Sequence, residues 1–211
     1  MLAVGGMTRR IGLLGGSFNP AHRGHRRMSL AAIDALGLDE LWWLVSPGNP
    51  LKPVKGMAPY PARLASARSM ARRSRIRASD LEARLGTRYT VDTLRAIEAR
   101  YPGDRFIWLM GADTVAQFHQ WKAWQRLAER VPIAVLSRPG YDGAARAARA
   151  MGWLGRFVHP PAMARSWTDW SAPAITFLRL PPDPTSATRL RALDPDWHED
   201  FASRPAPSYP R

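Results

Sequence analysis

The run Ile11-Gly12-Leu13-Leu14-Gly15-Gly16-Ser17-Phe18-Asn19-Pro20-Ala21-His22-Arg23-Gly24-His25 reads as an apolar strand, a glycine turn and the start of a helix. Arg9 and Arg10 bound the strand on one side and two glycines on the other, and the helical pattern begins at about Arg23. Gly15 and Gly16 carry no Cβ, so the backbone can turn tightly there and bring its N–H groups close to a ligand. A helix that starts just afterwards adds unpaired amides and the positive end of its dipole, which together favour an anion. His22 and His25 stand at i and i+3 about that start, so both imidazoles can face the same way. With ordinary pKa values of about 6.5, they can donate hydrogen bonds to phosphate and become cationic as charge builds.

Outward from this stretch, strand-like runs alternate with helical ones. Arg23–Leu36 reads as a helix stopped by Gly37, and Glu40–Ser46 as a buried strand. Residues 47–61 are rich in proline and glycine and form a loop. Pro61–Ser74 returns to helix, Arg75–Ala78 to a short strand, and Thr90–Tyr101 to a helix whose inner face carries Val91, Leu94 and Ile97. Phe106–Met110, Val131–Leu136 and Ile175–Leu180 are further apolar strands. This alternation predicts an α/β fold: a doubly wound parallel sheet with right-handed crossovers and helices on both faces. A chain of 211 residues suits a single such domain. Ligands of these sheets lie at the carboxyl ends of the strands, where the glycine run falls.

Composition narrows the function classes. The formal charge is +14, yet only Lys52, Lys55 and Lys122 are lysines, and the arginines are scattered among alanines and prolines. Such a field attracts anionic nucleotides without amounting to a nucleic-acid patch. The densest group, Arg63, Arg68, Arg72, Arg73, Arg75 and Arg77, reads as a solvated helix face followed by a strand entry. The chain has no cysteine, which excludes disulfides, thiolate zinc sites and a cysteine nucleophile and fits a reducing cytoplasm. The first ten residues hold too short an apolar stretch for a signal peptide, and no run is long enough for a membrane span.

The opening stretch matches neither Gly-x-Gly-x-x-Gly nor Gly-x-x-x-x-Gly-Lys-Ser/Thr, so a dehydrogenase or a Walker-type ATPase is not indicated. The whole string from Gly15 to His25 resembles instead the signature Gly-Gly-Ser/Thr-Phe-Asp/Asn-Pro-x-His-x-Gly-His of the nicotinate mononucleotide adenylyltransferases, in the His-x-Gly-His nucleotidyltransferase superfamily. Thr185-Ser186-Ala187-Thr188-Arg189-Leu190-Arg191 resembles that family's second signature, Ile-Ser-Ser/Ala-Thr-x-x-Arg, with Thr185 in place of isoleucine. Read from the residues alone, Ser186 and Thr188 are good helix caps and Arg191 a solvated cation.

The resemblance runs from about residue 10 to 193 and implies a Rossmann-like fold and a set of roles. His22, His25 and Arg191 would be catalytic, holding charge on the ATP phosphates. Gly15, Gly16, Ser17, Phe18, Gly111, Asp113, Arg138, Ser186 and Thr188 would bind ATP. Asn19, Lys52, Tyr89, Thr90 and Trp121 would bind the nicotinate nucleotide, with Trp121 stacking on the pyridine ring and Thr90 meeting its carboxylate. Taken singly, Trp121 is one of nine tryptophans, Thr90 a helix N-cap and Lys52 an exposed loop lysine.

The implied reaction transfers the AMP moiety of ATP to nicotinate mononucleotide, giving nicotinate adenine dinucleotide and pyrophosphate. Its phosphate nucleophile is already anionic, so the protein's task is placement and neutralisation, with Mg²⁺ held by the substrate and no dedicated protein metal site. A phosphopantetheine adenylyltransferase would share the nucleotide site without the Tyr89, Thr90 and Trp121 segments, and a basic RNA-binding module would interleave aromatics and cations on one face. Residues 1–193 are assigned to the nucleotidyltransferase domain and 194–211 to a polar, proline-rich tail with a disordered character. Trp153, Trp167 and Trp170 either cover the pocket or form a homo-oligomer contact.

Overall fold

The computed structural model describes residues 8–48, 56–137, 140–181 and 183–202. Its strands are β1 (Arg10–Gly16), β2 (Glu40–Val45), β3 (Ile76–Ser79), β4 (Arg105–Gly111), β5 (Ile133–Leu136), β6 (Val158–His159) and β7 (Ile175–Leu178). Its helices are α1 (Arg23–Leu36), α2 (Tyr60–Ala71), α3 (Leu81–Leu85), α4 (Thr90–Arg100), α5 (Ala112–Phe118), α6 (Trp124–Ala128), α7 (Asp142–Arg146), α8 (Met151–Leu154), α9 (Ala187–Leu193) and α10 (Glu199–Ala202). The strands form one seven-stranded sheet in the order β3-β2-β1-β4-β5-β7-β6, and every pair is parallel.

Alternation along each strand divides the core into two layers. Ile11 and Leu13, Trp42 and Leu44, Phe106, Trp108 and Met110, and Ile133 and Val135 face one side, under α4, α5 and α6. Leu14, Leu41, Trp43, Val45, Ile107, Leu109 and Leu136 face the other, under α1 and α2. The chain leaves β1 toward the α1 side and β4 toward the α5 side, so the sheet order reverses between these neighbours and opens a crevice at their carboxyl ends.

Several expectations change in detail. Gly15 and Gly16 are not a turn; they continue β1 and pair with Leu44 and Val45. The glycines serve close approach, since a Cβ on Gly15 would lie 3.0 Å from the Trp108 ring and one on Gly16 3.0 Å from the Phe18 ring. The turn comes later, with Phe18 at φ 46°. Arg63 is not on a solvated face but 2 % exposed, and Arg68 is largely buried and paired with Asp80. Trp167 is buried, its indole N–H donating to Leu36 O at 3.0 Å, and Trp170 stacks on His159, so neither covers the crevice. Residues 194–202 of the tail include Trp197, which is 6 % exposed, and α10 packs on α2.

Candidate active site

The crevice begins where β1 ends. Phe18 is buried and stacks on Trp43, with ring centroids 4.9 Å apart. Asn19 is also buried, and its side chain is engaged inside the protein: the amide donates to Gly56 O (2.9 Å) and the carbonyl accepts from Ala58 N (3.2 Å). Beneath the loop lies Arg63, a guanidinium that donates to the carbonyls of Ser17 (2.7 Å), Ser46 (2.8 Å), Ala58 (3.0 Å) and Pro47 (3.1 Å). Five donors in a rigid fork suit this task, because one side chain ties three separate segments together. Its partners are neutral, so its charge is not cancelled locally.

The two histidines meet as the spacing predicts. His22 is the N-cap of α1, and its backbone N–H donates to His25 Nδ1 at 3.2 Å. An accepting Nδ1 places the proton of neutral His25 on Nε2. The ring centroids are 3.8 Å apart, and Phe18 packs against His25 at 5.1 Å. Packing therefore sets both imidazoles at the entrance of α1.

The second signature is drawn to the same place. Arg27 Nη1 bonds Asp183 Oδ2 (2.9 Å), Asp183 Oδ1 accepts from Thr185 N (2.9 Å), and Arg23 Nε donates to Thr185 Oγ1 (3.1 Å). The hydroxyl and amide of Thr185, followed by Arg27, hold the Asp183 carboxyl down at about 2. Ser186 caps α9 by accepting from Arg189 N (3.2 Å). Arg191 Nη2 donates to Thr188 Oγ1 (3.3 Å) and Nη1 to Asn19 O (2.6 Å), which joins the end of the chain to the first loop. Asp183 has no expected role from the sequence; its position two residues before Thr185 is the only local signal, and an aspartate turn is common.

A cavity of about 280 Å³ opens beside these elements. Its wall brings together the predicted residues Gly15, Gly16 and Ser17, Tyr89 and Thr90, Gly111 and Asp113, and Trp121. Tyr89 rather than Thr90 holds the N-cap position of α4, so Thr90 is the first helical residue, where amides lack intrahelical partners. Trp121 is held edge-on by Trp108 (6.2 Å) and Phe118 (5.4 Å). Phe18, Asn19, His22, His25, Ser186, Thr188 and Arg191 are not in the cavity wall; the chain leads from Ser17 in the wall to Phe18 and Asn19, and Arg191 bonds Asn19 O. Lys52 and Arg138 lie outside the described residues.

Several wall residues escaped the sequence reading, among them Ser46, Glu82, Thr114 and Gln117. Glu82 and Ser46 both line the cavity, and burial pushes the Glu82 carboxyl up to about 7 against a hydrogen bond from Ser46. A lone Glu in a five-residue helix carries no sequence signal of burial. Among the described residues no group of three His, Cys, Asp or Glu could hold a metal ion, and no helix is long and apolar enough to cross a membrane. A larger hollow of about 500 Å³ lies at the amino ends of β4 and β5; Trp167 and Trp170 line it, and none of the residues predicted to bind a nucleotide does.

Comparison with known proteins places this geometry. The cytidylyltransferase-like family model matches residues 13–193. A protein of Erythrobacter litoralis named "Probable nicotinate-nucleotide adenylyltransferase" is 58 % identical over 196 residues, covering 93 % of this chain and 90 % of its own. One of the same name from Parvibaculum lavamentivorans is 51 % identical over 182 residues, covering 86 % and 90 %. Among solved structures, Plasmodium falciparum nicotinic acid mononucleotide adenylyltransferase complexed with NaAD superposes with a TM-score of 0.61 at 15 % identity, covering 87 % of this chain and 83 % of that one. The same parasite enzyme complexed with APC gives a TM-score of 0.60 at 16 % identity over the same shares. At such identities the structures speak for the fold, a Rossmann-like α/β sheet, whereas the curated relatives speak for descent. The chain belongs to the cytidylyltransferase-like family and, within it, to the nicotinate-nucleotide adenylyltransferases.

Proposed function

We propose that this nucleotidyltransferase moves the AMP moiety of ATP onto nicotinate mononucleotide, releasing pyrophosphate, with His22, His25 and Arg191 stabilising charge. The observation that carries the reading is one cavity that unites the end of β1, the start of α4 and Trp121, together with the His22–His25 pair and Arg191, which bonds the loop that follows Ser17.

In this reading a phosphate oxygen of nicotinate mononucleotide bonds to the α-phosphorus of ATP. The bond from that phosphorus to the α,β-bridging oxygen breaks, and pyrophosphate departs with the electron pair. No general base is required, because the nucleophile is already ionised. Negative charge spreads over the equatorial and leaving oxygens, so fixed donors lower the barrier most. His25 Nε2 supplies one, and Arg191 supplies a planar cation. Backbone amides at Ser17 and Phe18, with Gly15, Gly16, Gly111, Asp113, Ser186 and Thr188, form the ATP side. Trp121 stacks on the pyridine ring, and Tyr89, Thr90 and the first amides of α4 meet the nicotinate carboxylate. ATP enters as its Mg²⁺ complex, the ion carried by phosphate and water oxygens, a mode that needs no protein cage.

The test offers Mg·ATP with nicotinate mononucleotide, nicotinamide mononucleotide or phosphopantetheine and measures pyrophosphate. Release with the first acceptor is expected. Release with phosphopantetheine alone would reassign the acceptor, and silence with all three would end the enzyme reading.

A further inference from the structure

The mechanism leaves a buried acid in the cavity wall unused. Glu82, the second residue of α3, is 9 % exposed and lines the cavity with Gly16, Ser17 and Ser46. Its carboxyl is hydrogen-bonded to the Ser46 hydroxyl. Ser46 is held in turn, its amide donating to Gly16 O (2.9 Å) and its carbonyl accepting from Arg63 (2.8 Å). The acid is thus tied to the phosphate loop from behind.

Its electrostatic surroundings can be named element by element. On its own helix Arg84 is paired with Asp80. The segment before α4 brings Arg88 and Tyr89 to the cavity, α4 brings Asp92 paired with Lys122, and α5 brings Asp113. From α2 come the Tyr60 phenol, which feels the Glu82 charge, the Arg63 guanidinium, bonded to Ser46 O, and Arg68, paired with Asp80. The one ionisable side chain of β2, Glu40, sits at the strand's far end and pairs with Arg77. Among the described residues none forms an ion pair with Glu82. With burial raising its pKa, the acid is largely uncharged below neutrality and charged above it.

We propose that Glu82 tunes acceptor binding through its charge: as a neutral acid it admits an anionic nucleotide beside Ser17 and Ser46, and as a carboxylate it repels that nucleotide. This rests on the cavity being the acceptor site. Affinity for nicotinate mononucleotide then falls as pH rises through neutrality, while the chemical step does not follow the same curve.

The experiment measures KM for nicotinate mononucleotide from pH 6 to 9 at saturating Mg·ATP, by pyrophosphate release, for wild type, Glu82→Gln and Ser46→Ala. Because the nucleotide phosphate titrates whichever protein is present, the informative quantity is the ratio of wild-type to Glu82→Gln KM. That ratio should climb about tenfold between pH 6 and 8.5; a flat ratio overturns the proposal. Ser46→Ala removes a hydrogen bond that favours the ionised acid, so its KM rise should begin at higher pH. An inflection that stays put or moves down overturns the proposal, even where Glu82→Gln does not fold. No pyrophosphate from the wild type at any pH removes the reaction assignment itself, an outcome distinct from both.

Discussion

The two ends of the sheet hold two hollows whose arginines find different partners. At the amino ends of β4 and β5, cations meet anions: Arg9 bonds Asp104, with Nε at 3.1 Å from Oδ1, and Arg130 bonds Glu98, with Nε at 2.7 Å from Oε2. At the carboxyl ends, Arg63 and Arg191 are bound by backbone carbonyls and a hydroxyl instead. Carbonyls satisfy the N–H groups without neutralising the charge, so these two guanidiniums keep an uncancelled charge, while Lys122 and Arg27 at the same end are paired with Asp92 and Asp183. The two hollows therefore differ in how their arginines are held, and size does not decide it: ion pairs mark the larger one, and carbonyl-bound arginines stand beside the smaller.

Four substitutions break or sharpen that contrast. The largest effect is expected for His25→Ala, which should lower kcat a few hundred-fold with the circular dichroism spectrum retained, as removal of a single transition-state donor does; near-normal turnover would take the histidine out of the mechanism. Arg63→Met leaves buried carbonyls of three segments without a donor. It should destabilise the fold by about 3 kcal/mol, seen as a melting temperature lower by roughly 6 to 12 °C. A melting curve like wild type would deny Arg63 its role as the hub of the loops. Trp121→Ala should raise KM for nicotinate mononucleotide about tenfold, the scale of one lost stacking contact, and leave kcat nearly untouched. Equal KM in the two proteins would place the pyridine ring elsewhere. At the opposite end, Arg130→Met should change stability by less than about 1 kcal/mol and turnover not at all, because the Arg130–Glu98 pair is partly exposed; a loss of turnover there would erase the contrast.

Much of the site could be read before the fold was known. The alternation of strands and helices and the bounds of α1 follow from periodicity and local chemistry, whereas the two signatures are legible only as a resemblance to a known family. The errors share a cause. Gly15 and Gly16 look like a turn because glycine permits one, yet the constraint on Gly15 comes from Trp108, more than ninety residues away, and that on Gly16 from the Phe18 ring. Arg63 sits in a cluster of arginines that resembles a solvated face, and only its distant carbonyl partners make it buried. The short edge strand β6 borrows its order from β7, so two residues, Val158 and His159, carry almost no pattern of their own. Trp167 and Trp170 are equally silent about which end of the sheet they serve.

The sequence alone determined the alternating α/β order, the two histidines at a helix start and the second signature, since each depends on residues near one another in the chain. Only the tertiary structure decided that Arg191 reaches Asn19, that Arg63 gathers three loops, and that Glu82 faces the cavity. Those facts are set by packing between segments far apart in sequence. Local propensity has no term for such distances, and burial, which alters the charge of Glu82, exists only once the chain has folded.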